Sequence, residues 1–291
     1  MGTSKVLITE CPRDAMQGLQ EFVPTALKIE YLNELLKVGF DRLDFGSFVS
    51  PKAIPQMRDT SEVLDRLHVN PQTQLIAIIA NQRGSETACQ FEQISFLGYP
   101  FSISETFQRR NTNSDLEKAY QDLNEIGSMA HSKSKSVIVY ISMAFGNPYG
   151  DPYHDEIILE HMQRLVNSGF RNFSMADTVG LATPDRVSGV MKLVYNSFPD
   201  SEIGIHLHCN AENWYEKVDA AYQAGCRMFD SAIGGFGGCP MAADDLIGNL
   251  STESLIQYLS DHNVKSRINE TDFIKARSKS NQIFKNIPKI V

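Results

Sequence analysis

The chain has 291 residues, 42% hydrophobic and 21% charged, with 35 acidic against 27 basic side chains for a net charge of -8. This composition buries enough apolar surface to offset chain entropy, which excludes intrinsic disorder, and the acidic balance repels phosphate backbones and anionic lipid, which argues against nucleic acid and membrane partners. The length lies within the range over which α/β barrels run as one domain, and a single unit over residues 1–291 is expected.

In chain order, strands are predicted at Val6–Glu10, Arg42–Phe48, Gln74–Ala80, Phe96–Ser102, Ser136–Ser142, Asn172–Thr178, Glu202–Cys209 and Met228–Gly235. Amphipathic stretches between them, such as Ala26–Val38, Ser114–Met129, Asp155–Ser168 and Glu212–Ala224, read as helices. Gly39, Gly169 and Gly225 each stand just past the last periodic residue, where a left-handed cap belongs. This alternation predicts a parallel (β/α)8 TIM barrel, with Thr252–Asp261 and Thr271–Asn286 left over as C-terminal helices; a doubly wound open sheet is the alternative. The first strand starts too early to leave room for a secretory leader. The five cysteines (Cys11, Cys89, Cys209, Cys226, Cys239) fall in no paired spacing, and the longest apolar run, Leu75–Ala80, is far short of the ~18 residues of a membrane span. A protein of the reducing cytoplasm is expected.

In such a barrel the chemistry gathers at the C-terminal ends of the strands. His206 and His208 close the seventh strand and share one face, reading either as a chelating pair or as two hydrogen-bonded polar residues. Arg13 and Asp14 close the first strand, either as a surface ion pair or with Asp14 as an oxygen ligand at the same mouth. Asn249 either offers an amide oxygen or simply turns the chain. After strand eight, residues 234–240 form a glycine-dense loop expected to be exposed, with Gly237 and Gly238 giving it freedom and Cys239 near its tip; a buried structural thiol is the other reading of Cys239. Ser174 and Thr178 share one face of strand six, where they bind an acyl carboxylate or pack across the sheet.

Several motifs stand together: Pro12-Arg13-Asp14 with Gln17, Ser47-Phe48-Val49-Ser50-Pro51-Lys52 with Pro55-Gln56-Met57, Ser104-Glu105 with Phe107 and Asn111, Asp177-Thr178 with Gly180, His206 with His208, Gly237-Gly238-Cys239-Pro240, and Gly248-Asn249-Leu250 with Thr252-Glu253. This set resembles the 3-hydroxy-3-methylglutaryl-CoA lyase family over nearly the whole chain. The chain departs from the family pattern after Asp14, where Ala15-Met16-Gln17-Gly18-Leu19 replaces the usual glycine-leucine-glutamine-asparagine-glutamate, and where Gln20 and Glu21 stand near a customary basic residue. Asp44 replaces a glutamate, and Cys209 an acid.

The resemblance implies retro-Claisen cleavage of an acyl-CoA substrate to acetyl-CoA and acetoacetate, with Mg2+ or Mn2+ held by Asp14, His206, His208 and Asn249. It further implies that Arg13 opposes enolate charge, Asp44 orients Arg13, Asp14 or a water takes the hydroxyl proton, and Cys239 returns a proton to carbon. Gln17, Ser47, Ser174 and Thr178 would bind substrate, and the assembly would be a homodimer. Two rivals remain: an acetyl-CoA-dependent synthase of the same superfamily, and a non-catalytic binding barrel.

Overall fold

The computed structural model describes residues 5–238 and 247–285. Eight parallel strands close into a barrel in sequence order: β1 (Leu7–Glu10), β2 (Arg42–Ser47), β3 (Gln74–Ile78), β4 (Ile94–Ser102), β5 (Ser136–Ser142), β6 (Asn172–Ala176), β7 (Glu202–His206) and β8 (Met228–Ser231). The ring closes where β1 pairs with β8, Leu7 opposite Met228 and Glu10 opposite Ser231. This is the predicted TIM barrel; an open sheet would leave two strand edges unpaired.

Five strands stop short of the runs that announced them: β2 by one residue, β3 by two, and β6, β7 and β8 where the chain turns to other partners. Thr178 lies beyond β6, its hydroxyl accepting the Met143 amide at 2.9 Å. His208 and Cys209 lie beyond β7, and His208 forms an isolated antiparallel bridge with Asn249. Residues Ile233–Gly235 form a tight turn after β8. Each segment finds a partner outside the barrel ladder: the Thr178 hydroxyl with Met143, the His208 backbone with Asn249, and the Ile233 amide with Glu10.

Helices Thr25–Val38, Leu116–Ser132, Asp155–Asn167 and Trp214–Gln223 lie on the predicted stretches, and Thr252–Asp261 and Glu270–Ile283 follow the barrel. The first of these ends at Gly39, at φ 97°, where a Cβ would sit 2.6 Å from the Arg267 carbonyl, so glycine is required there. Among the described residues no helix is long and apolar enough to cross a membrane.

Period-two alternation sorts the strand side chains. Leu75, Ala77, Val137, Val139, Phe173 and Ile205 join the large core between barrel and helices, while Ile76, Ile78, Phe96 and Ile138 form a small separate cluster inside the ring. The even positions of β2 and β7 follow the same inward parity, which aims Asp44 and His206 into the barrel.

Candidate active site

At the C-terminal end of the barrel lies a cavity of about 180 Å³. Arg13, Asp14, Asp44, His206 and His208 line one part of it, and Val49, Ile54, Ile78 and Phe107 another. β1 runs directly into a short helix, Pro12–Gln17, whose proline opens the first turn, where no intrahelical amide partner is lost. That turn presents Arg13 and Asp14 to the mouth.

Arg13 is 8% exposed, and its guanidinium forks onto Asp44, with Nε donating to Oδ2 at 3.0 Å and Nη2 at 2.5 Å. Its Nη1 donates to Asp14 Oδ1 at 3.0 Å and to Gln17 Oε1 at 2.9 Å. Burial alone would ease the proton off; Asp44 and Asp14 outweigh it and hold Arg13 charged beyond its ordinary range. Burial lifts the Asp44 carboxyl to about 6 against the pull of Arg13, so it is ionised at neutral pH.

Asp14 also accepts from Gln17 Nε2 and Asn249 Nδ2, each at 2.7 Å. Burial pushes its carboxyl up, but Arg13, the two histidines and the Asn249 amide prevail and hold it below the usual range. Ligand atoms of Asp14, His206 and His208 all lie within 4.8 Å of one another. Burial, then His206, pushes His208 down to about 4, so at neutral pH it keeps an open nitrogen lone pair. His206 is raised: burial works against its charge, but Asp230, with Oδ2 3.3 Å from Nδ1, overcomes it. That contact occupies Nδ1 and leaves Nε2 free.

Asn249 donates to Asp14 and to the Phe236 carbonyl at 2.8 Å, while its own Oδ1 is buried with no partner. A native interior rarely leaves such an oxygen unmet, and one carboxylate, two imidazoles and an amide oxygen are a donor set that suits a divalent cation. Cys11, His206 and Asp230 form a second trio within 4.8 Å. Burial, followed by Asp230, Asp44 and Asp14, raises the Cys11 thiol well above its ordinary value and keeps it protonated, so this trio is the poorer ligand set.

Of the predicted substrate contacts, Gln17 and Thr178 line the cavity. Ser174 donates instead to Asp230 Oδ2 at 3.0 Å. The Ser47 hydroxyl donates to the Ile78 carbonyl at 3.2 Å, accepts from the Val49 amide at 3.1 Å, and borders an adjoining cavity. The glycine segment, expected to be exposed, begins buried: Gly235, Phe236 and Gly238 are covered, and Phe236 stacks on Phe284 with ring centroids 4.3 Å apart. Gly237, at φ 105°, passes so close to the site that a Cβ would lie 2.5 Å from Asn249 Nδ2. Cys239 lies outside the described residues.

Three groups escaped the sequence reading. Asp230 is brought to His206 by the β7–β8 register, which pairs the two residues. Glu10 is fully buried, accepting from the Ile233 amide at 2.8 Å and from Thr252 Oγ1 at 2.6 Å, and burial lifts it to about 8. Lys217 donates to Asp177 Oδ2 at 2.8 Å and to the His208 carbonyl at 2.9 Å, fixing the backbone that carries the second histidine. For Glu10 and Asp230 the available signal was a single charged residue in an otherwise uncharged strand; Lys217, next to Glu216 and close to Asp219, offered none.

Residues 6–279 match the HMGL-like family model. The chain is 31% identical over 281 residues to the mitochondrial hydroxymethylglutaryl-CoA lyase of Rattus norvegicus, an overlap of 95% of this chain and 85% of that one. It is also 31% identical over 268 residues to the hydroxymethylglutaryl-CoA lyase of Bacillus subtilis (strain 168), covering 91% and 88%. Among solved structures, an HMG-CoA lyase from Acinetobacter baumannii in complex with coenzyme A and 3-methylmalate aligns with a TM-score of 0.91 at 28% identity, over 98% of this chain and 93% of that one.

Proposed function

The chain belongs to the HMGL-like family, and from that premise we propose that it is a hydroxymethylglutaryl-CoA lyase, splitting 3-hydroxy-3-methylglutaryl-CoA or a close 3-hydroxyacyl-CoA into acetyl-CoA and acetoacetate. The observation that carries this reading is the meeting of Asp14, His206 and His208 within 4.8 Å beside Arg13, at a cavity with an apolar portion able to take a thioester chain.

Asp14, His206, His208 and Asn249 would hold a divalent cation, Mg2+ or Mn2+, whose charge when bound acidifies an alcohol and polarises a carbonyl. In the reaction the 3-hydroxyl gives up its proton and its carbon becomes the ketone of acetoacetate. The electron pair of the C2–C3 bond passes to the thioester enolate, and a proton delivered to C2 completes acetyl-CoA. Arg13, clamped by Asp44 and Gln17, places a fixed positive charge where the enolate oxygen develops. Asp14 sits below the ordinary carboxylate range, which suits a ligand better than a base and leaves the hydroxyl proton to a water at the mouth. We assign the return of the proton to Cys239, on the sequence motif. A cytoplasmic homodimer completes the reading.

Purified protein incubated with Mg2+ and a panel of branched 3-hydroxyglutaryl thioesters is expected to release acetyl-CoA from the 3-methyl member. Condensation of acetyl-CoA with a 2-oxoacid would instead make it a synthase, and binding without turnover a scaffold.

A further inference from the structure

Three strands that are neighbours in the ring, β7, β8 and β1, bring a second set of ligand atoms together. His206 pairs with Asp230 and Asp230 with Thr9; Cys11 follows two residues past Thr9 and faces the same cavity as His206. One ligand atom each from Cys11, His206 and Asp230 lies within 4.8 Å of the others. Cys11 is 1% exposed, and its thiol donates only to the Thr9 carbonyl, at a long 3.8 Å. Of the Asp230 carboxylate, Oδ2 is engaged by Ser174 and His206, while Oδ1 has no hydrogen-bond partner among the described residues. A sulfur and an oxygen thus stand beside the imidazole with little else to bind.

A thiol, an imidazole and a carboxylate suit a softer, tetrahedral ion better than Mg2+ or Mn2+. Burial and the surrounding acids keep the Cys11 thiol protonated, which makes it a poor ligand for a hard cation. A thiophilic ion forms its sulfur bond by displacing that proton, which passes to solvent through the cavity together with any proton on the ring. We propose that Cys11, His206 and Asp230 form a second metal site, selective for a thiophilic cation such as Zn2+, with its fourth position open to the cavity. Bonds of about 2.0 to 2.3 Å hold ligand atoms roughly 3.3 to 3.7 Å apart around a tetrahedral Zn2+, a gap that side-chain rotation closes. Because His206 is common to both sets, an ion here competes with the cation assigned to Asp14, His206, His208 and Asn249 and blocks turnover. Binding stands apart from the lyase reading; only that consequence for turnover rests on it.

The test uses the full chain and Cd2+, whose bond to a thiolate gives an ultraviolet charge-transfer band, with Zn2+ and Mn2+ titrations beside it. Wild type and Cys239→Ala are expected to show the band, and Cys11→Ala and Cys11→Ser to lose it. Both Cys11 variants should bind Zn2+ with affinity lower by on the order of 10-fold or more, and Mn2+ within a few-fold of wild type, which also shows that they fold. Asn249→Ala should do the opposite, losing Mn2+ affinity and keeping the band. The inference is overturned if wild type gives no band, if the band survives in the Cys11 variants, or if it vanishes with Cys239→Ala. Equal Zn2+ affinity with and without the Cys11 thiol would place that ion in the four-ligand cluster and overturn it as well. Zn2+ bound through Cys11 by a chain that releases no acetyl-CoA would count against the lyase reading alone.

Discussion

The side-chain amide of Asn249 donates to Asp14 at 2.7 Å, and in doing so leaves its own buried oxygen without a partner. Asp14 in turn lies with His206 and His208 in a cluster whose ligand atoms are within 4.8 Å of one another. One hydrogen bond thus joins a residue near the end of the chain to a strand-end cluster drawn from β1 and β7.

If these four side chains share a cation, His206→Ala, His208→Ala and Asn249→Ala each lower Mn2+ affinity by on the order of 10-fold or more, because water is a poor replacement for a positioned nitrogen or amide oxygen. Titration calorimetry reads this directly. Wild-type affinity in all three variants would remove the cation site and the chemistry assigned to it.

Asp230 orients the His206 ring through Nδ1, so Asp230→Asn is expected to cut Mn2+ affinity by roughly 10- to 100-fold although Asp230 is not proposed as a ligand. Ser174→Ala, which removes only a hydroxyl donor to Asp230, should cost much less. Equal effects of the two changes would mean that Asp230 serves packing alone.

Arg13→Gln separates transition-state charge from metal binding. Loss of one preorganised donor of this kind lowers kcat about 100- to 1000-fold, or roughly 2.7 to 4 kcal/mol, while Mn2+ affinity should stay within a few-fold of wild type. Steady-state kinetics and Mn2+ titration on one preparation check both halves. An intact kcat would leave Arg13 as no more than the ion-pair partner of Asp44.

Glu10 sets a pH dependence of stability. Its carboxyl is raised from 4.5 to about 8 in the folded chain, so between those values the unfolded chain has released a proton that the native state still holds. Stability therefore falls as pH rises through that window, by about 1.4 kcal/mol per pH unit from this group, and its contribution is largest below the unfolded value. Glu10→Gln should flatten this slope in urea titrations at pH 5, 6.5 and 8. An unchanged slope would show that Glu10 is already ionised in the fold.

The barrel was legible because its strands are short apolar runs separated by amphipathic stretches, and because period-two alternation is a local property of the backbone. For the same reason the shared face of His206 and His208, and the placing of Arg13 and Asp14 at a strand end, could be read from spacing. The strand ends were less legible, since Thr178 and His208 continue the alternation of their strands while the hydroxyl of the first and the backbone of the second find partners outside the ladder.

What the sequence by itself determined was the succession of elements and the end of the barrel where polar residues collect. The tertiary structure alone decided which of those residues are free to act. Ser174 and Ser47 have hydroxyls as suitable as any for a substrate, yet Asp230 engages the first and the Ile78 and Val49 backbone the second. Asp230 reaches His206 through the register of β7 with β8, and Asn249 meets Asp14 across 235 positions of chain. Hydrogen bonding inside a barrel is a competition among groups far apart in sequence, and its outcome depends on register and burial, which exist only once the ring has closed.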